Sequence, residues 1–255
     1  MRRLTLIVVG TMVGILFVFA NLSESDGPTW RRANFRLIPL TPVEIAAKLT
    51  ASDAADGDTF GNATISGDTA LIGAWGDDTA DGVDTGSVYV FTRFGDTWIE
   101  QQKLIASDPV DYPAFGSSLA ISGDTLVVGT CDWASADPDD GSAHVFTRSG
   151  DTWSLEQVLT ASDGEPGDIF GCDVAISGDM VAVSAVWDDH SGFTDAGSVY
   201  FFTRSGDTWT EQQKFPASDP GTGDHFGTFI ALAEQIAVIA SPEDDHPGMT
   251  DAGSV

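Results

Sequence analysis

The chain has 255 residues, with 39 acidic against 11 basic side chains and a net charge of −28. That balance excludes nucleic acid as a partner, whose phosphates would be repelled, and disfavours an anionic membrane surface. Two cysteines, Cys131 and Cys172, exclude a disulfide scaffold or a zinc ribbon, so a core must hold the chain, and 42% apolar residues are enough to build one. The charge fits a soluble extracellular protein, a cation binder or a protein of a salty habitat; solvated acidic loops alone also account for it.

The first predicted element is residues 1–20. Arg2 and Arg3 precede an uncharged apolar run from Leu4 to Ala20, and Val18-Phe19-Ala20 offers small residues to a signal peptidase. We read a secretory signal, which places the rest of the chain outside the cytoplasm, secreted or on the cell surface. The run of 17 residues approaches the lower limit of a spanning helix. An uncleaved anchor is therefore the second reading, and only in that reading does the chain meet a membrane. Residues 21–40 have no clear period and read as a linker.

From about residue 41 the sequence repeats. Phe60-Gly61, Phe115-Gly116, Phe170-Gly171 and Phe226-Gly227 are spaced by 55, 55 and 56 residues. In step with them run TISGD at 64–68 and AISGD at 120–124 and 175–179, worn to ALAEQ at 231–235. GSVYVF at 86–91 returns as GSAHVF at 141–146 and GSVYFF at 197–202. TRFGDTW at 92–98 returns as TRSGDTW at 147–153 and 203–209. A repeated unit of this length implies an architecture built from copies.

Each copy reads as four short strands. In the second, Ser117–Ser122 alternates and ends at the turn pair Gly123-Asp124. Thr125–Gly129 is nearly all apolar, as in a strand buried on both faces. An Asp- and Gly-rich loop follows, then Ser142–Arg148, the turn Gly150-Asp151, and a more polar strand, Thr152–Leu159. Trp98, Trp153 and Trp209 begin the outer strands and are expected to cap the sheet edge. Each Phe of the Phe-Gly pairs is expected to wedge between neighbouring blades, with its Gly letting backbones approach. No helical period follows residue 20. The predicted fold is all-β, a β-propeller of four-stranded antiparallel blades at about 48–102, 103–157 and 158–213, with an incomplete one at 214–255.

The Phe-Gly pair, the strand ending in ISGD, the turn-rich loop and GSVYVF resemble FG-GAP repeats over about residues 48–255. Those repeats form the propeller of integrin α-subunits and of many bacterial surface proteins, and this sequence is closer to the bacterial branch. The resemblance implies an extracellular module for adhesion or for binding a protein or glycan. It does not bring the integrin calcium site, because the DxDxDG loop between the first two strands is here only the tight SGD turn. Residues 41–49 (TPVEIAAKL) align loosely with the outer strand TWIEQQKLI at 97–105. The chain thus reads as one outer strand, three blades and an incomplete blade. An open arc belonging to a larger propeller is expected; a closed four-bladed ring is the alternative.

Catalysis is not expected. His144 takes the place of Tyr89 and Tyr200, His225 precedes a Phe-Gly pair, and no glycine-rich loop opens a helix to hold phosphate. A hydrolase or lyase on a propeller scaffold is the other functional class, recognisable by a cleft with a perturbed acid or base. The acidic loops are the better candidate. Between second and third strands stand Asp77, Asp78, Asp81 and Asp84, then Asp132, Asp137, Asp139 and Asp140. The third repeat has Asp188, Asp189, His190 and Asp195, and the fourth has Glu243, Asp244, Asp245, His246 and Asp251. The blade-joining loops add Asp53, Asp58, Asp108, Asp163, Asp168, Asp219 and Asp224, and both loop sets are expected on one face. Calcium wants six to eight such oxygens, with Asp77, Asp78, Asp81, Asp84, Asp188, Asp189, Asp195, Asp244, Asp245 and Asp251 as ligands. Turn formation, with Asp side chains bonding nearby N–H groups, is the competing role. Cys131 and Cys172 are expected on that face in adjacent blades, where export permits a disulfide and two small apolar packing residues are the other reading.

Overall fold

The computed structural model describes residues 5–12, 15–21, 48–80, 82–107, 114–131 and 141–255, which fall into two units, 1–46 and 47–255. In the first unit, β1 (Thr5–Met12) pairs antiparallel with β2 (Ile15–Asn21). No helix among the described residues is long and apolar enough to cross a membrane. The linker read at 21–40 lies, apart from Asn21, outside the described residues.

The second unit carries the repeats. Blade one is β3 (Phe60–Ser66), β4 (Thr69–Ala74), β5 (Ser87–Phe94) and β6 (Thr97–Leu104). Blade two is β7 (Phe115–Ser122), β8 (Thr125–Thr130), β9 (Ser142–Ser149) and β10 (Thr152–Leu159). Blade three is β11 (Phe170–Ser177), β12 (Met180–Ala185), β13 (Ser198–Ser205) and β14 (Thr208–Pro216). Each is an antiparallel meander in chain order, while the fourth repeat contributes β15 (Phe229–Ala233) and β16 (Ile236–Ala240) as a pair. First strands stack: β7 lies on β3 and β4, β11 on β7 and β8, and β15 on β11 and β12. The blades therefore follow one another in an open arc.

The hairpins form for a local reason. Gly67, Gly123 and Gly178 at the first turns, and Gly95, Gly150 and Gly206 at the third, have φ between 59° and 65°, whereas the following Asp does not turn left-handed. A Gly at the first central position with a conventional second residue suits the right-handed twist of the strands it joins. Between these hairpins β4 and β8 are buried along their whole length.

Blade junctions explain the Phe-Gly pair. Phe115 is fully buried with Leu71, Val88 and Val90 of blade one and Leu126, Val128 and Phe146 of its own blade. Phe170 plays the same part between blades two and three. Phe60 and Phe226 are only half-buried, so the expectation of four buried wedges holds for the two that lie between complete blades. A ladder shift after Phe115 turns Gly116 (φ 95°) toward the preceding blade. A Cβ on Gly73 would stand 2.2 Å from the Gly116 carbonyl oxygen, and one on Gly129 2.0 Å from that of Gly171. Two facing glycines let the backbones touch. The residue before each pair is itself left-handed, at Thr59, Ala114, Ile169 and His225, with φ between 48° and 54°. Such values are rare for β-branched side chains and hold only where packing over-determines them.

The heptad TRxGDTW also belongs to the junction. Arg93, Arg148 and Arg204 pair with Asp68, Asp124 and Asp179 of the first hairpin, and each guanidinium lies over the ring of Trp98, Trp153 or Trp209. Trp153 and Trp209 are buried. Gln102 bonds the N–H and carbonyl of Trp153 at 2.8 Å, and Gln157 does the same to Trp209 at 2.8 and 2.9 Å. These tryptophans are thus clamped by the previous blade, where an edge cap was expected; Trp98, with no complete blade before it among the described residues, is half-buried. Cys131 and Cys172 form a disulfide across the junction of blades two and three, with Cα atoms 4.5 Å apart.

Candidate functional site

The acidic loops gather at one end of the blades, and their carboxylates divide into inner and outer sets. The loop after β4 returns on itself: the Asp77 N–H donates to Ala74 O, and Gly86 N donates to Asp77 O. This turns the Asp77 side chain inward, where it is buried. It accepts from Ser87 Oγ at 2.5 Å and Tyr89 OH at 3.3 Å, and pairs with Lys103 Nζ at 2.6 Å. Lys103, near the end of β6, also pairs with Asp53 of the blade-joining loop at 2.8 Å, while Tyr89 OH donates to Asp53 at 2.6 Å. The ammonium sits 5.1 Å from the centre of the Tyr89 ring.

Blade three repeats the arrangement residue for residue. Asp188 accepts from Ser198 Oγ at 2.5 Å and pairs with Lys214 at 2.7 Å. Lys214 and Tyr200 OH each reach Asp163 at 2.9 Å. Burial opposes the charge of Lys103, but bonds to Asp53 and Asp77 outweigh it and hold the ammonium above its ordinary pKa. The Lys103 bond, then that of Tyr89, keeps Asp53 below the usual carboxylate range. Burial, then the bond to Asp53, pushes the Tyr89 phenol up to about 12. At neutral pH Lys103 and Asp53 therefore stay charged and the Tyr89 phenol stays neutral, so none of the three is a proton carrier.

Outer carboxylates cap turns. Asp78 accepts from Asp84 N at 2.9 Å, Asp189 from Asp195 N at 2.9 Å, and Asp245 from Asp251 N at 2.8 Å. Asp84, Asp195 and Asp251 are left-handed, with φ of 49°, 54° and 50°, a conformation Asp tolerates. Asp58 and Asp224 close the blade-joining loops by accepting from Ala55 N at 2.6 Å and Gly221 N at 2.5 Å. Asp81, Asp108, Asp132, Asp137, Asp139 and Asp140 lie outside the described residues. Among the described residues no three His, Cys, Asp or Glu side chains are grouped to hold a metal. The structure brings Asp77 and Asp188 to lysines, and Asp78, Asp189 and Asp245 to backbone N–H groups.

Blade two departs from the pattern, with His144 in the tyrosine position and Val158 in the lysine position. Burial pushes the His144 pKa down to about 4, and its Nδ1 has no hydrogen-bond partner. A neutral imidazole there packs edge-on against Phe115. His225 Nδ1 pairs with Glu243 at 2.7 Å, and among the described residues no hydroxyl or thiol bonds its other nitrogen.

Sequence reasoning missed the inner residues, Ser87, Tyr89, Lys103 and their counterparts Ser198, Tyr200 and Lys214. A signal for the lysines exists. After residue 47 the only basic residues are Lys48, Arg93, Lys103, Arg148, Arg204 and Lys214, all at repeat-equivalent positions. In a chain so acidic, that regularity is a signal for structural pairing, which Arg93, Lys103, Arg148, Arg204 and Lys214 make.

A family model for the FG-GAP repeat matches residues 44–91, 98–146, 153–202 and 209–255. Three of the four matches begin at Trp98, Trp153 and Trp209, so the period counts from the outer strand, and the first takes in the stretch before blade one. No curated protein matches the chain. With its Phe-Gly junctions, four-stranded meanders and four matched repeats, the chain belongs to the FG-GAP repeat family.

Proposed function

We propose that this chain is an exported, non-enzymatic module whose acidic loop face binds an extracellular protein or glycan, as in cell-surface adhesion. The observation that carries the reading is the division of the carboxylates. The inner set takes up Lys103 and Lys214, so the outer Asp78, Asp189 and Asp245 are exposed without a cation among the described residues, on turns already closed by a hydrogen bond. A preformed, singly charged face loses little conformational entropy on binding. It also speeds encounter with a partner of opposite charge. The test is binding of the purified chain to a glycan array and to a panel of purified secreted proteins. Binding that weakens with sodium chloride and with Asp78→Asn/Asp189→Asn supports the face; binding indifferent to both places the contact elsewhere.

A simple cation is the second reading of the same face, favoured at the fourth loop. Burial, followed by repulsion from Asp244, Asp245 and Asp219, pushes the Asp224 carboxyl up, and a cation would relieve that repulsion. Calcium is the simple-ion candidate. Melting in calcium chloride against sodium chloride of equal ionic strength reads it directly: a higher melting temperature in calcium is expected, and identical curves leave only screening.

A further inference from the structure

The junction between blade three and the β15–β16 pair departs from the two junctions before it. Between blades one and two Gly73 faces Gly116, and between blades two and three Gly129 faces Gly171. At the third junction Ser184 takes the place of Gly73 and Gly129, and its Cβ lies 3.0 Å from the point where Gly227 would carry one. A second position changes with it. Ala63 in blade one and Ser118 in blade two correspond to Asp173 in blade three. Ser118 donates its hydroxyl across the junction to Gly171 O at 2.8 Å. Gly227 stands in the register of Gly171. At the third junction a side chain that donates has thus been replaced by one that, when ionised, only accepts.

Asp173 reaches across all the same. Its Oδ2 accepts from Ile230 N of β15 at 2.5 Å, and its own N–H donates to Ser184 Oγ at 2.8 Å. The residue is half-buried, and among the described residues no ion pair reaches its carboxylate. The strands around it bring no compensating charge. β7, β8, β12, β15 and β16 have no ionisable side chain, and on β11 the other candidate, Cys172, is in the disulfide. β9, which also meets β11, carries His144, stacked on Phe115, and Arg148, paired with Asp124. Ahead of β15, His225 is turned to Glu243. Burial therefore outweighs the N–H bonds of Ile230 and Val174 and raises the Asp173 carboxyl to about 6. The bonds that Asn62, Gln102, Ser118 and Gln157 make across the first two junctions come from side chains that do not titrate.

We propose that Asp173 is an acid-operated latch that seats β15 and β16 on blade three. With a proton, the carboxyl has a donor for the Gly227 carbonyl, as Ser118 has for that of Gly171, and still accepts from Ile230. Without it, a negative charge lies between two strands with no cation to balance it, and the pair loosens. The seated state holds the proton more tightly than the open one, so seating strengthens as pH falls through about 6 and has gained its full share below the ordinary 3.8. The arc is thus stiffer at this junction in mildly acid surroundings than in neutral ones. The latch is independent of what the loop face binds.

Hydrogen–deuterium exchange of the full-length chain tests it, read on β15 and β16 after correction for intrinsic exchange, with β7 and β8 as the internal reference. Protection of β15 and β16 relative to that reference is expected to rise about tenfold between about pH 7.5 and about pH 5, the gain that one proton gives a unit below its pKa. Asp173→Asn, which supplies an amide donor and keeps an acceptor, holds the pair at both pH values, and Asp173→Ala leaves it loose at both. A rise that persists in Asp173→Asn assigns the effect to another group, with His225 and Glu243 first in line, and overturns the proposal. So does protection in the parent that is indifferent to pH. A carbon-13 NMR titration of the Asp173 carboxyl in the parent depends on no variant folding. A midpoint near 6 supports the latch, and one at or below 3.8 overturns it.

Discussion

Replacing both Cys131 and Cys172 by alanine should lower stability by about 4 kcal/mol. The bond closes a loop of 41 residues. The chain-entropy relation then gives a loss of about 13 cal/mol/K in the unfolded ensemble, or ~4 kcal/mol at 25 °C. Alanine is the right replacement, because Cys131 packs among Ile169 and Val186, where a serine hydroxyl would be stranded. For a unit of this size that loss corresponds to roughly 8–16 °C in melting temperature. The assay is urea unfolding of parent, reduced parent and double variant, followed by tryptophan fluorescence. Reduced parent and variant should coincide, and the m-value should rise because the uncrosslinked chain exposes more surface. A difference below about 1 kcal/mol, or a reduced parent as stable as the oxidised one, would refute the argument. The unfolded ensemble would then already hold blades two and three together.

Lys103→Met should cost about 3–5 kcal/mol, because it strands the buried Asp77 carboxylate, whereas Asp68→Asn, at a half-exposed pair with Arg93, should cost under ~1 kcal/mol; urea titration of both compares them directly. Gly129→Ala should unfold or grossly destabilise the junction, since its Cβ would lie 2.0 Å from a backbone oxygen, and a loss below ~1 kcal/mol would disprove the close approach. His144 has a pKa of about 4 in the fold against an ordinary 6.5, so the unfolded chain binds its proton more readily between those values. Its contribution is complete above pH 6.5 and is lost as pH falls toward 4, by up to roughly 3 kcal/mol; His144→Phe should remove that slope in stability measured at several pH values. Asp173 runs the other way: burial raises its carboxyl to about 6, the folded state holds the proton more tightly, and stability from this group rises as pH falls from 6 toward 3.8. Asp173→Asn should therefore stabilise the chain at pH 7 and flatten that opposite slope.

Which parts were legible in the sequence follows from the range of the forces involved. The SGD turns and the strands are local, and Gly67 or Gly123 betrays its φ by being glycine. Phe115 and Gly116 announce a junction because the pair recurs at the blade period. The inner site is not local. Lys103 meets Asp53 50 residues earlier in the chain, and no pattern within one strand says which of many aspartates it will hold. Asp77 and Asp78 are neighbours with the same side chain, yet one points into the blade and one into solvent. Only the backbone bonds around Ala74 and Gly86 decide between them. The tryptophans show the same limit, since Trp98 and Trp153 share a heptad and differ in burial by whether a complete blade precedes them.

The bonds that join blades have a short reach along the chain. Gln102 and Trp153 are 51 residues apart, and the longest among the described residues, Arg148 to Thr69 and Arg204 to Thr125, span 79. Blades two and three thus each bond to the blade before them. A chain emerging from the ribosome N-terminus first can dock these blades by accretion, each onto the one before it. In that order of assembly Cys131 is present as a thiol until blade three arrives with Cys172. The oxidation state of Cys131 is accordingly a timestamp: trapping free thiols during synthesis would mark the moment at which the third blade has seated on the second.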